Sequence, residues 1–382
     1  MLKEFAKISK LIKLCLCLII VAAGSWAFAI DHSDYLSVTG PCNLEFPKDH
    51  GPHPGYRTEW WYYTGNLTSL DGKRYGFQFT FFRTQISPPG YEQNWPQNAS
   101  AWRTQHIYLG HAAITDISGK RHLQAERVAR AALGLAGGVQ KEDTTDIFIN
   151  DWSLHIALDS HRLKASADDF ALELTLVPHK PPVLHGDAGY SRKGSAPRRA
   201  SCYYSFTRLK ANGTVYLAGQ PVSVQGASWM DHEFSTAALE PELVGWDWFS
   251  LQLSDNTEIM FFLLREDDGK MNPVSSGSVV DASGAIRHLV KDDFRVDVLK
   301  TWKSPQTKAV YPAQWRVQIH PLSIDLTVSP NLSDQEMQTL KSSGVTYWEG
   351  SVILKGTKQE LPINGQGYVE LTGYAGPFDA PM

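Results

Sequence analysis

Apolar residues along this chain alternate with polar ones or fill whole short runs, and the wider recurrence of an amphipathic helix is scarce. The strongest pattern is T-E-W-W-Y-Y-T-G-N-L over residues 58–67. After the Asp71-Gly72 turn comes Y-G-F-Q-F-T-F-F-R over 75–83. Two β-prone runs joined by a short polar loop predict a hairpin. Strand alternation sends Trp60 and Tyr62 to one face and Trp61 and Tyr63 to the other, so both faces are apolar. Such a hairpin is either the wall of a large barrel with a ligand-holding inside or a doubly packed sandwich strand.

The same patterning predicts strands over 104–117, 122–127, 151–158, 161–167, 170–176, 202–210, 214–220 and 222–229. Residues 129–138, small and Gly-containing, read as a helical turn or a flexible crossing. Residues 178–199, rich in Pro and Gly and holding His179, His185 and Asp187, read as a long surface loop of the kind that often serves as a lid or binding loop. A polar, Pro-containing link over 235–243 marks a domain boundary. A second β series begins at Trp246-Asp247-Trp248-Phe249. One helix is expected near Ser333, where Ser333-Asp334-Gln335-Glu336 forms a capping box ahead of Met337 and Leu340. Each half opens with an aromatic strand followed by an apolar strand ending in arginine, Arg83 in one and Arg265 in the other. A duplicated β-barrel is the economical expectation.

Residues 1–29 stand apart. Lys3, Lys7, Lys10 and Lys13 precede an apolar run over 14–23 and the small-x-small triplet Ala27-Phe28-Ala29, a pattern that predicts a secretory signal peptide cleaved after Ala29. The run is short for a membrane span. Cys15 and Cys17 lack the small residues that precede a lipidated cysteine. The expected product is soluble and exported, to the periplasm in a bacterium or otherwise secreted, and is not an integral membrane protein. Of 36 basic and 40 acidic residues the leader holds four Lys and Glu4, so 32 and 39 remain, a net charge of -7. That balance argues against nucleic acid as a partner. Cys42 and Cys202 remain after cleavage. They are two separate thiols or one disulfide closing a very long loop, worth roughly 4–5 kcal/mol in the chain-entropy model.

Several side chains are candidates for chemistry, each beside a plainer role. Glu59 stands in front of the aromatic run either as a buried acid or as the partner of Arg57 or Arg83. Asp231 and His232 form either an acid and a water-orienting base or a hydrogen-bonded clip between the halves. Asp247 reads as structural. His50 and His53 beside Asp49 could bind a metal, but Gly and Pro around them favour a turn, and no metal or cofactor is expected. There is no G-x-S-x-G elbow of an α/β serine hydrolase.

Gly51-Pro52-His53-Pro54, the two aromatic runs, Trp229-Met230-Asp231-His232-Glu233, Trp246-Asp247-Trp248 and Tyr347-Trp348-Glu349-Gly350 together resemble the AttH-like family. That family is related to the bacterial carotenoid 1,2-hydratases and often called predicted secreted hydrolases. The resemblance runs over nearly the whole chain beyond the leader. It implies an all-β protein of two tandem lipocalin-like barrels, 30–234 and 235–382. By analogy with relatives linked to transport, it also implies an ABC-transporter permease as partner. The hydratase branch adds water to an isolated isoprenoid double bond. That chemistry needs a protonated carboxyl and aromatic faces for the cation, and the resemblance places much of it on Asp231-His232. This chain departs from the hydratases in carrying Phe234 where they carry Trp, and Met260-Phe261-Phe262 where they carry a Tyr-x-Asp pair.

The resulting expectation is an exported lipocalin-like protein that binds an apolar lipid or isoprenoid through Trp60, Trp61, Tyr62, Tyr63, Phe79, Phe81, Trp229, Trp246 and Trp248. The alternative is a hydratase or hydrolase acting on such a molecule through Asp231, His232 and Glu59.

Overall fold

The aromatic hairpin is the centre of the first of two sheets. In chain order that sheet contains β1 (Thr58–Ser69), β2 (Arg74–Gln85), β3 (His106–Asp116), β4 (Arg121–Arg130), β5 (Ala136–Gln140), β6 (Thr145–Ile149), β7 (Trp152–Ile156), β8 (His161–Ser166), β9 (Phe170–Pro178), β10 (Val183–Leu184), β11 (Tyr190–Arg192), β12 (Ala200–Leu217) and β13 (Gln220–Ser235). The second sheet contains β14 (Leu243–Leu253), β15 (Glu258–Glu266), β16 (Ser276–Val280), β17 (Ile286–Val290), β18 (Phe294–Lys303), β19 (Val310–Ile319), β20 (Ile324–Pro330), β21 (Glu336–Thr339), β22 (Val345–Lys358) and β23 (Leu361–Leu371). The computed structural model describes residues 34–237 and 239–376, so the expected signal peptide lies outside the described residues. No helix among them is long and apolar enough to cross a membrane.

Both sheets follow one plan. In the first, neighbours run β4-β3-β2-β1-β13-β12-β9-β8-β7-β6-β5, with β10 and β11 added on β12. In the second they run β17-β16-β15-β14-β23-β22-β20-β19-β18, with β21 added on β22. The first and last long strands pair in the middle each time. The two ends of each order are consecutive in the chain: β4 leads to β5, and β17 to β18 through the short turn Lys291–Asp293. A fully antiparallel meander whose end strands are sequence neighbours curls into a barrel with one slit. The all-β, lipocalin-like expectation therefore holds.

Alternation decides what fills each barrel. Trp61 and Tyr63 lie opposite Phe81 and Phe79 and point inward with Phe77 and Trp152, all fully buried. Phe249, Phe261, Trp315 and Trp348 do the same in the second barrel. The opposite faces meet in a third apolar layer between the sheets, built from Tyr62, Tyr203, Trp229, Trp248, Met260, Phe262 and Tyr368, with Trp60 and Trp246 packed against it. Within the expected ligand-binding set, Trp61, Tyr63, Phe79 and Phe81 are thus barrel core. Trp60, Tyr62, Trp229, Trp246 and Trp248 belong to the layer between sheets. The outer face, where an aromatic surface left over for a ligand was one expectation, is instead buried in this layer against the other sheet.

Three local expectations change in whole or in part. Residues 129–138 form the end of β4, a turn over 131–135 that is the expected crossing, and the start of β5. The helix expected at Ser333 is instead β21, paired with β22 from Glu336 opposite Trp348. Tertiary partners outcompete the capping box there: the Glu336 carboxylate accepts hydrogen bonds from Ser304 (2.7 Å), Thr307 (2.6 Å) and Tyr311 (2.9 Å). The loop over 178–199 is tacked to β12 by two short strands. Cys42 and Cys202 are bonded, with Cα atoms 5.9 Å apart. The bridge ties the segment before β1 to β12, amid Val38, Ala200 and Phe234.

Candidate functional site

Asp231 and His232 are consecutive in β13, so they leave the strand on opposite faces. His232 enters the first barrel and Asp231 enters the layer between sheets. The expected acid and water-orienting pair is therefore two separate groups. Of the three candidate catalytic residues, only Glu59 and His232 meet.

They meet at the end of the first barrel. Glu59 Oε1 accepts from His232 Nε2 (2.8 Å) and from His53 Nδ1 (2.7 Å), and Glu59 Oε2 accepts from Arg83 Nε (2.7 Å). His53 Nε2 reaches Asp49 Oδ1 at 3.2 Å, and its ring stacks on Phe234 with centroids 3.7 Å apart. Arg83 also donates to the carbonyls of His53 (2.9 Å) and Tyr56 (3.0 Å). His232 Nδ1 lies 2.9 Å from the Tyr204 hydroxyl, which in turn contacts His50 Nδ1 at 2.7 Å. The histidines expected to mark a plain turn are thus tied into the barrel by separate contacts.

Burial would raise the Glu59 carboxyl, but the charges of Arg83 and His53 and the hydrogen bond from His232 hold it well below the usual carboxylate range. Burial would likewise lower His53. The Glu59 charge and the contacts to Asp49 outweigh it and hold the imidazole at about 9. His53, Glu59 and His232 offer three donor atoms within 4.8 Å of one another, an arrangement that could take a metal ion. The group nevertheless closes on itself. Two carboxylates, Glu59 and Asp49, face two cations, Arg83 and His53, and the second Glu59 oxygen is occupied by the guanidinium. We assign it the structural role of an ion-pair network.

The second barrel repeats the device. Asp247, also inward, lies 3.1 Å from Arg265 Nε and accepts from the Tyr374 hydroxyl. Each barrel thus pairs a carboxylate on its first strand with an arginine near the end of its second.

The group on the other face is chemically different. Asp231 is buried against aromatic rings and accepts three hydrogen bonds: Tyr203 Oη donates to Oδ2 (2.8 Å), and Trp229 Nε1 (2.6 Å) and the Ser205 hydroxyl donate to Oδ1. Trp248, from the second sheet, donates its indole N–H to Tyr203 Oη at 3.0 Å. Ser205 is contacted in turn by His185 Nε2 at 2.7 Å. Burial outweighs the three donors, with the nearby Glu233 adding to it, and pushes the Asp231 carboxyl up to about 7. Across the layer, Glu349 and Glu370 are register partners on β22 and β23. Burial raises both, and Glu349 is raised further by the Glu370 charge; Glu370 stands at about 7. Lys193, from the loop over 178–199, closes one edge of the layer. Its Nζ is 3.0 Å from Glu233 Oε1 and sits over the rings of Phe262 (4.1 Å) and Tyr203 (4.9 Å).

From the sequence, Tyr203, Ser205 and Glu370 did not stand out at all, His185 stood out only as part of the loop over 178–199, and Glu349 only within a family motif. The signal that could have found the first two is the alternation of β12 beside β13, which sends Tyr203 and Ser205 to the face of Asp231. His185 comes from an irregular segment and has no such signal.

Two buried polar atoms in this layer, Tyr62 Oη and Glu349 Oε1, have no hydrogen-bond partner of good geometry although the two side chains are neighbours. An unpaired buried hydroxyl is a cost that folding alone does not require. Tyr62→Phe is expected to stabilise the protein, on the order of 1 kcal/mol, as measured by urea denaturation, while weakening whatever binding uses that hydroxyl.

Fold and site together define a double-barrel all-β protein with a carboxyl group buried where the barrels meet. The AttH-like family model matches residues 37–374, and the chain belongs to the AttH-like family. It is similar to the crystal structure of a protein assigned as AttH from Nitrosomonas europaea, with 34% identity over 89% of this chain and 99% of that one and a TM-score of 0.78. Kievitone hydratase from Nectria haematococca shares the fold at 16% identity, over 89% of this chain and 97% of its own, with a TM-score of 0.67. CghA does so at 14% identity, over 90% and 98%, with a TM-score of 0.50. No curated protein matches the sequence.

Proposed function

We propose that this chain is an exported enzyme that hydrates a carbon–carbon double bond in an apolar, isoprenoid-like molecule bound between its two barrels, with Asp231 as the proton donor. The observation that carries the reading is a carboxyl fixed on both oxygens by Tyr203, Trp229 and Ser205 inside an aromatic layer. Protonating an alkene requires an acid that is still protonated near neutral pH, which burial among rings supplies. The π pair takes the Asp231 proton and a C–H bond forms. The ring faces of Trp229, Trp248 and Tyr62 stabilise the cation. Water then adds through oxygen, and its surplus proton passes to the Glu370 carboxylate across the layer, which leaves Asp231 ionised. Rings pack on one another in both barrels and in the layer alike; the raised carboxyl of Asp231 is what favours the layer as the place for the substrate. That a structural neighbour is a hydratase supports the reading. Ser205 as the nucleophile of a hydrolase has less support, since its hydroxyl donates to Asp231 and His185 Nδ1 faces a serine instead of a carboxylate. The leader-like pattern of residues 1–29 supports the exported part of this reading.

The second reading is a carrier that binds the same class of molecule without turnover, favoured by the size of the aromatic layer. One experiment separates them. The protein lacking residues 1–29 is examined by native mass spectrometry for a co-purified ligand, then incubated with isoprenoid alkenes in oxygen-18 water. Labelled tertiary alcohol is the expected product. Bound ligand without label would favour the carrier. No ligand and no label across the panel would overturn both.

A further inference from the structure

Asp231 is shut away from solvent, and any acid that gives up a proton has to be reloaded. Its hydrogen bonds do not end inside the layer. The Ser205 hydroxyl donates to Asp231 Oδ1, and His185 Nε2 lies 2.7 Å from Ser205 Oγ. His185 Nδ1 lies 3.0 Å from the hydroxyl of Ser278, on β16 of the second sheet. Ser278 Oγ lies 3.2 Å from Nδ1 of His288, on β17. Ser205, His185 and Ser278 are fully buried, whereas His288 is exposed. The chain of contacts thus begins at the buried carboxyl, crosses from one barrel to the other, and ends in water.

We infer that Ser205, His185, Ser278 and His288 form a proton wire between solvent and Asp231, resting on the reading of Asp231 as the proton donor. Each member can donate on one side while accepting on the other, as a wire requires. In the loaded orientation His288 Nδ1–H points to Ser278, Ser278 to His185 Nδ1, His185 Nε2–H to Ser205, and Ser205 to ionised Asp231. One concerted shift moves every proton one position inward. Asp231 becomes protonated, and His288, recharged from water, returns the balance. No bond other than O–H and N–H is made or broken, and no co-reactant is needed. Burial, with Lys193 and His288 as the charges that face it, keeps His185 neutral, which leaves one ring nitrogen free to accept. Asp231 itself faces Glu233, and Glu370 lies across the layer. A purely structural clip would need His185 to bridge Ser205 and Ser278. It would not need the last contact to the surface.

Reload speed can be read without a substrate. A light-triggered proton jump from pH 8 to pH 6 on the full chain, followed by time-resolved infrared spectroscopy, reports the protonated carboxyl band of Asp231, identified by its loss in Asp231→Asn. The wild type is expected to gain the band quickly. Ser205→Ala and His185→Phe should slow it by about a hundredfold, the low end of what positioned proton transfer contributes. His288→Ala, at an exposed position where folding is not at stake, should slow it too and recover with added imidazole. Unchanged rates in His288→Ala and His185→Phe, with the band present, would overturn the wire and leave the acid in place. A band that fails to titrate between pH 8 and pH 6 would overturn the acid and the wire together.

Discussion

Asp231→Asn should reduce alkene hydration by about two to four orders of magnitude, the usual contribution of a positioned general acid, while leaving the protein folded. Asparagine keeps the planar shape and can still accept from Trp229 Nε1 and Ser205, whose hydrogen bonds fix the carboxyl now. It has no acidic proton to give. The wild-type rate should fall as pH rises past about 7, because burial places the Asp231 carboxyl there and only its protonated form donates. Stability supplies an independent check. In the unfolded chain this group titrates near 3.8, and in the folded one near 7. Between those values the folded state holds more protons than the unfolded state, so unfolding free energy drops with rising pH. The contribution is fully present below the lower value and lost through the upper one. Asp231→Asn removes that dependence. Urea denaturation from pH 4 to pH 9 should therefore show a flatter profile in the variant, and a relative gain in stability above pH 7. A variant that loses activity and also loses stability at pH 8 would mean that the ionised carboxylate serves as a clip between the sheets.

The separation of Asp231 from His232 was within reach of the same rule that split the aromatic run. Period-two alternation assigned Trp60 and Tyr62 to one face and Trp61 and Tyr63 to the other, and it holds through β13 as well. What the pattern left open was which face would be inside a barrel, since both are apolar; the inter-sheet layer exists only once two barrels are placed side by side. The arginines near the end of the second strand of each half were also legible, and each proves to neutralise a buried carboxylate, Glu59 or Asp247. Other parts had no local signature. His185 lies among prolines and glycines, and its partners Ser205 and Ser278 are 20 and 93 residues away. The capping box at Ser333 was a sound local signal outweighed by long-range partners of Glu336. Small polar residues acquire roles from the fold, whereas large apolar ones largely dictate it.

Arg83→Met should be the most damaging substitution for stability. The guanidinium is 1% exposed and Glu59 is fully buried, so removing one partner leaves a charge with no access to water. Breaking such a pair costs about 3–5 kcal/mol. The same change also strips donors from the carbonyls of His53 and Tyr56 that fix the segment before β1. Replacing both partners, as in Arg83→Met with Glu59→Gln, should cost less than Arg83→Met alone, because the uncompensated charge is gone. The pH dependence of the network follows from its two shifted members. Glu59, held below its unfolded value of 4.5, contributes stability above that value, lost as pH falls through its folded value. His53, held at about 9 against 6.5 unfolded, contributes fully below 6.5 and loses that contribution as pH rises through 9. The network therefore supports the fold best between about pH 5 and 6.5. Urea denaturation of wild type, single and double variants from below pH 4.5 to above pH 9 would test it. A double variant as unstable as Arg83→Met would show that the backbone contacts of the guanidinium, and not its charge, hold the mouth of the first barrel.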